Sequence, residues 1–273
     1  MSLVVFGLLS ARPAQANDPQ ASTETSDHSR ALARLPLDSI QGPHRERVLE
    51  ILKTPVLYRR GPVEAYPCHP QLLEWLMNHP VAVAEFWRQL GMLLSEVETI
   101  EGGYQCREGN TALVKFYQIH AVPNLRIVYC TGEASRPPLP GKLRAEIVYV
   151  YRYHFAKQPD GQYFVIQQIE SYSTAPGATL KAVMKLTRAA TNRLVDQSMQ
   201  DMTIYFSLMC RVMQLRPRWT LEALPVVQAK LPDDEWSELS KILGDIVAKP
   251  VERPPLVERV AEHRVDATDS RMK

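Results

Sequence analysis

Three tyrosines at every second position, Tyr149, Tyr151 and Tyr153 in the stretch RAEIVYVYRYHF, are the side chains whose type and spacing most directly suggest a chemistry. Alternate side chains of an extended backbone point to one side, so the phenols form a row. Each ring tolerates apolar contact while its hydroxyl needs a partner. Such a row fills a packed core, lines a cavity for an apolar guest, or offers a stacking platform to nucleic acid. A platform requires exposed rings flanked by cations, whereas Arg144, Arg152 and His154 occupy the opposite side of the same strand. A formal net charge of +2 is also too small for a surface that must neutralise several phosphates. The expectation is no nucleic-acid partner, with cavity wall and closed core both open.

Other chemistry has less support. The chain contains no Walker-type glycine loop, no G-x-G-x-x-G, no H-E-x-x-H and no G-x-S-x-G. His120 and His154 are expected on strands facing away from the main core, and His69 and His79 flank a short helix. A metal or general-base site needs several such groups converging with carboxylates, and the expectation is no metal and no cofactor. Ser95, Ser171, Ser173 and Cys130 have no recognisable partner base for nucleophilic catalysis. One charge pattern stands out: Lys181, Lys185 and Arg188 share an edge near the start of a long helix, where the dipole disfavours cations. They are either a solvated face or a basic rim for an anionic head group, membrane surface or partner.

The elements that must position these groups follow in a simple order. HRERVLEILK (44 to 53) and PQLLEWLMNHPVAVAEFWRQLGML have apolar residues at helical spacing, with a bend expected at His79-Pro80. Six segments rich in β-branched and aromatic residues then run from about residue 95 to 174, separated by turn signals such as Gly102-Gly103 and Pro159-Asp160-Gly161. Short connections make neighbouring strands antiparallel. The residues from Thr174 to Arg216 read as one long helix, roughly 50 Å if unbroken. The first side of the tyrosine strand is apolar from Leu143 to Phe155, and this helix is the element long enough to cover it. The fold expected is α+β: a curved antiparallel sheet of five to seven strands under one long C-terminal helix, with N-terminal helices and a short helical appendix over residues 216 to 247. Methionines at 184, 199, 202, 209 and 213 give the helix adaptable material.

The ends carry separate signals. Leu3 to Leu9 is apolar and Ala14-Gln15-Ala16 is a site of the signal-peptidase kind, so residues 1 to 16 are expected to be a secretory signal and the protein exported, although no Lys or Arg precedes the apolar run. Residues 17 to 43 read as a disordered leader, 44 to 215 as the folded domain and 248 to 273 as a disordered tail. Cys68, Cys106, Cys130 and Cys210 lack C-x-x-C spacing, and reduced, buried thiols are expected. No apolar run approaches the roughly 18 to 20 residues of a membrane span.

The order of elements over about residues 70 to 215 resembles the helix-grip superfamily, which includes START domains, polyketide cyclases and pathogenesis-related lipid binders. The resemblance rests on topology, with no residue motif matched. Those folds begin with a strand before their two short helices, and TPVLYRRGPVEAY (54 to 66), interrupted by Gly61-Pro62, is the candidate here. The resemblance implies a hydrophobic small molecule or lipid held beneath the long helix. The wall candidates are then Tyr149, Tyr151, Tyr153, Trp87, Met202 and Tyr205, with Lys181, Lys185 and Arg188 as the rim. The function expected is non-enzymatic binding of such a molecule. An exported interaction or structural module with a closed core, and a cyclase- or hydrolase-like enzyme, are the alternatives. The sequence assigns no oligomeric state.

Overall fold

The computed structural model describes residues 25–91, 95–108, 112–135, 142–159, 161–223 and 232–248. The expected signal (1 to 16) and all but the first residue of the expected tail (248 to 273) lie outside them. Seven strands form one antiparallel sheet: β1 (Leu57–Pro67), β2 (Glu96–Ile100), β3 (Gly103–Glu108), β4 (Ala112–Val122), β5 (Leu125–Ser135), β6 (Lys142–Lys157) and β7 (Tyr163–Thr174), in spatial order β1-β7-β6-β5-β4-β3-β2. Six consecutive strands are thus a meander. The first strand crosses over to pair with the last, which makes TPVLYRRGPVEAY the expected initial strand.

Gly61-Pro62 does not break that strand; it bulges it. The register shifts between Arg60 and Val63. Proline, lacking an N–H, is tolerated at a bulge on an edge strand. Gln168 holds the bulge by donating to the Gly61 carbonyl at 2.9 Å and accepting from Arg60 Nε at 3.1 Å. A side chain at Gly61 would press on the Ile169 carbonyl at 3.1 Å, so glycine lets the bulged strand lie close to β7 here.

Both faces of the sheet are covered. On one lie α3 (Pro70–Asn78), α4 (Pro80–Gln89), α6 (Arg188–Leu215) and α8 (Asp233–Ala248), whose apolar residues join Ile147, Tyr149, Tyr151, Tyr153, Val165 and Ile169 in the main core. The opposite side of the tyrosine strand is not simply a solvated face. Val148, Val150, Ile127 and Tyr172 are fully buried there beneath α1 (Thr25–Leu32), a 3-10 turn (Leu37–Ser39) and α2 (Arg45–Lys53). Residues 25 to 43 therefore depart from the expected disordered leader: Ala31, Leu35 and Ile40 close this second core. Strand apolar residues that alternate onto a second face need cover, and the chain before α2 supplies it.

The long helical stretch also differs from one unbroken rod. It divides at Thr187 into α5 (Ala178–Leu186) and α6, and Thr174, its expected start, belongs to β7. Thr187 Oγ1 donates to the Val183 carbonyl at 2.8 Å and Thr191 Oγ1 to the Thr187 carbonyl at 3.1 Å. Such back-bonding competes with the helix ladder and bends helices. The remaining α6, 28 residues and about 42 Å long, still crosses the sheet. In the appendix, α7 (Pro217–Ala223) precedes α8, and the intervening residues lie outside those described.

Candidate functional site

Side chains from Asp196 to Gln214 fasten α6 to the sheet and to its connections. Arg59 on β1 binds the Asp196 carboxylate, with Nε to Oδ1 at 2.8 Å. Tyr149 OH and Ser198 Oγ are 3.0 Å apart. Gln167 Nε2 donates to Thr203 Oγ1 at 2.8 Å, and the His69 amide donates to Gln214 Oε1 at 3.1 Å. Cys68, just beyond β1, is disulfide-bonded to Cys210 on α6 with their Cα atoms 5.4 Å apart. This corrects the expectation of four reduced thiols; Cys106 and Cys130 take no part in a disulfide. The two bonded cysteines are 142 residues apart, a proximity the tertiary fold creates and local spacing cannot reveal.

The tyrosine row faces α6, as its alternation requires, and all three members are buried. Their hydroxyls are satisfied within the chain. Tyr149 meets Ser198, and Tyr151 donates to Gln167 Oε1, which also accepts from Tyr66 OH at 2.9 Å. Tyr153 donates to Glu74 Oε1 at 2.5 Å, and the other oxygen of Glu74 pairs with the Arg126 guanidinium. Burial raises the phenols of Tyr149, Tyr151 and Tyr205 above the ordinary range. Burial and the hydrogen bond to Glu74 push Tyr153 up to about 12 despite Arg126. None of these phenols is poised to ionise near neutral pH, so they act as donors and apolar walls.

The structure joins four of the six wall candidates, Trp87, Tyr205, Tyr151 and Tyr153, in one run of ring contacts. Trp87 on α4 stacks on Tyr205 of α6 with ring centres 5.3 Å apart, and Tyr205 meets Phe206 edge-on at 5.4 Å. Phe206 contacts Tyr151 at 6.4 Å, Tyr151 contacts Tyr153 at 5.2 Å, and Tyr153 meets Phe155 at 5.8 Å. Tyr149 joins the same core cluster through its own strand, and Met202 packs against that cluster while half-buried.

One polar atom in this wall stands apart. Trp87 is 2% exposed and its indole Nε1–H has no hydrogen-bond partner among the described residues. Trp75 Nε1 is in the same condition, beneath the stacked His79 ring at 4.4 Å. A buried donor left unsatisfied costs about 1–3 kcal/mol. At the Trp87 end of the wall, then, a donor faces apolar and aromatic surroundings with its bonding capacity unspent.

The rim residues lie elsewhere. Lys181 is half-buried near Glu146, and Lys185 and Arg188 are exposed. They share α5 and the start of α6, and none of them belongs to the core cluster that holds the aromatic wall. Among the described residues no cluster of three or more His, Cys, Asp or Glu side chains is placed to hold a metal ion. The sequence reading missed Gln167, Tyr66, Glu74, Ser198 and Thr203. Gln167 carried a signal: it sits between Val165 and Ile169 on the inward side of β7, where a polar residue must find partners.

No protein-family model matches the chain, and no curated protein matches it. Among solved structures it is similar to a conserved protein from Geobacillus kaustophilus, at 12% identity and a TM-score of 0.34, over 56% of this chain and 95% of that one. It is also similar to apo dicamba monooxygenase, at 12% identity and a TM-score of 0.25, over 73% of this chain and 60% of that one. Likenesses this weak carry no residue role across. The antiparallel sheet crossed by a long helix is consistent with a helix-grip-like layout.

Proposed function

We propose that this chain is a helix-grip-like, non-enzymatic binding module that holds a hydrophobic small molecule or lipid between the sheet and α6, and that it is exported. The observation that carries the reading is the buried indole N–H of Trp87 without an acceptor among the described residues, set in a wall of aromatic rings and methionine. Binding sites for such molecules are mostly apolar with a few well-placed polar groups that fix orientation. The guest implied has an apolar body and one hydrogen-bond acceptor, such as a carbonyl or carboxyl oxygen, directed at Trp87. The tyrosine hydroxyls, spent on Ser198, Gln167 and Glu74, serve as fixed framework behind it. Export is supported by the Cys68–Cys210 disulfide, since such bonds persist mainly in oxidising compartments.

Titration with a solvatochromic apolar dye, followed by competition with dodecanoic acid and with dodecane, tests this. Saturable dye binding, displaced more strongly by the acid than by the alkane, and weakened about fivefold in Trp87→Phe, is expected for one lost hydrogen bond of about 1 kcal/mol. A second reading, an interaction module with a closed core, is favoured by the complete internal pairing of Tyr149, Tyr151 and Tyr153. Under that reading the dye does not bind, and Trp87→Phe changes stability little because an unmet donor disappears.

A further inference from the structure

The start of the long helical stretch is only partly covered among the described residues. From Pro176 to Leu194 no residue is buried, and α5 contributes none to either core. Yet its sequence, ATLKAVMKL, is apolar enough to seek cover. Leu186 is 86% exposed and Val183 47% exposed, and with Ala178 and Ala182 they form an outward apolar side. A single exposed leucine needs no explanation, but Leu186 and Val183 lie one helical turn apart and are exposed together.

The charges bordering that side have one sign. Lys181, Lys185 and Arg188 follow one another at spacings of four and three along a single edge, and Arg193 continues the run. No Asp or Glu occurs between Glu170 and Asp196, so this segment alone holds four positive charges in a chain whose formal net charge is +2. The carboxylate that feels Lys181, Glu146, is already hydrogen-bonded by Arg47 and by Tyr129 OH at 2.6 Å. The cations thus remain available to an external anion, at a helix end whose dipole gives them no support.

We infer that α5 is an interfacial anchor which lies on an anionic lipid surface. Val183 and Leu186 enter the boundary between head groups and acyl chains, while Lys185 and Arg188 reach the phosphates with their aliphatic stems along the apolar side. A nine-residue helix is far too short to span a bilayer, and none of the described helices is long and apolar enough to cross one. Lying on the surface is the geometry that an apolar side bordered by cations serves. This anchor uses α5 and the first turns of α6 and is independent of any guest held under α6.

Co-sedimentation of the whole chain with vesicles tests it, using phosphatidylcholine alone and a 7:3 mixture with phosphatidylglycerol at about 0.1 M salt. Binding to the anionic vesicles and not to the neutral ones is expected. The triple variant Lys181→Gln, Lys185→Gln, Arg188→Gln should bind on the order of 100-fold more weakly, from about fivefold per cation lost. Leu186→Ser should weaken binding about tenfold, and Lys241→Gln on α8 should leave it unchanged. These side chains are exposed or half-buried, so circular dichroism should show every variant folded. No binding to anionic vesicles, equal binding to both kinds, or wild-type binding by Leu186→Ser overturns the inference.

Discussion

Breaking the Cys68–Cys210 disulfide perturbs the clamp that holds α6 over the sheet. It joins residues 142 positions apart, one just past β1 and the other in the last quarter of α6. In the chain-entropy description, closing a loop of that length removes about 5 kcal/mol of conformational freedom from the unfolded state. For a chain of this size each kcal/mol moves the melting temperature by about 2–4 °C, so reduction should lower it by roughly 10–20 °C. The assay is calorimetry of the oxidised protein and of Cys68→Ser/Cys210→Ser, with thiols counted in denaturant. Two reactive thiols, Cys106 and Cys130, are expected before reduction and four after. Four thiols before reduction, in protein purified without reductant, would refute the bond. Two before and four after, with an unmoved melting temperature, would refute the stabilising role assigned to it.

Gln167 is the hub between β1, β6 and α6, so Gln167→Leu should cost about 1–3 kcal/mol in urea denaturation, because the Tyr66 and Tyr151 hydroxyls, 3.3 Å apart, can then satisfy only one donor between them; a cost below about 0.5 kcal/mol would show the network to be dispensable. Glu146 gives a pH dependence. Burial alone would raise its carboxyl, but hydrogen bonds from Arg47 and Tyr129 hold it below its ordinary value. A group whose folded pKa is depressed adds stability that is present above its unfolded value, about 4.3, and is lost as the pH falls through the folded one. Stability should therefore fall on acidification below about pH 5, and Glu146→Gln should flatten that fall; an unchanged slope would remove Glu146 from the explanation.

What was legible in the sequence followed from periodicity. Alternation along residues 143 to 155 placed the tyrosines on the α6 side, and the turn signals marked the strands of the meander. The long helix was visible from its apolar spacing, but its division was not, because Thr187 and Thr191 act through hydroxyl bonds that leave the three-and-four pattern intact. The second core was hidden for a related reason. Ala31, Leu35 and Ile40 are too few and too widely spaced to form a period, and they gain their cover only when the far face of the sheet exists. Cys68 with Cys210, and Glu74 with Tyr153 and Arg126, are pairings between distant segments, which one sequence does not mark. In the site, residue types suggested the aromatic wall, whereas a Trp87 donor with no partner among the described residues depends on what surrounds it in three dimensions.

Native mass spectrometry of the freshly purified chain, beside Trp87→Phe prepared in the same way, addresses the binding of an apolar guest most directly. A fraction of the wild type carrying extra mass in the range of a lipid or similar molecule, and a clearly smaller fraction in the variant, is the predicted result. Wild-type protein that flies only at the mass of the bare chain, under conditions gentle enough to keep known lipid complexes intact, would contradict it.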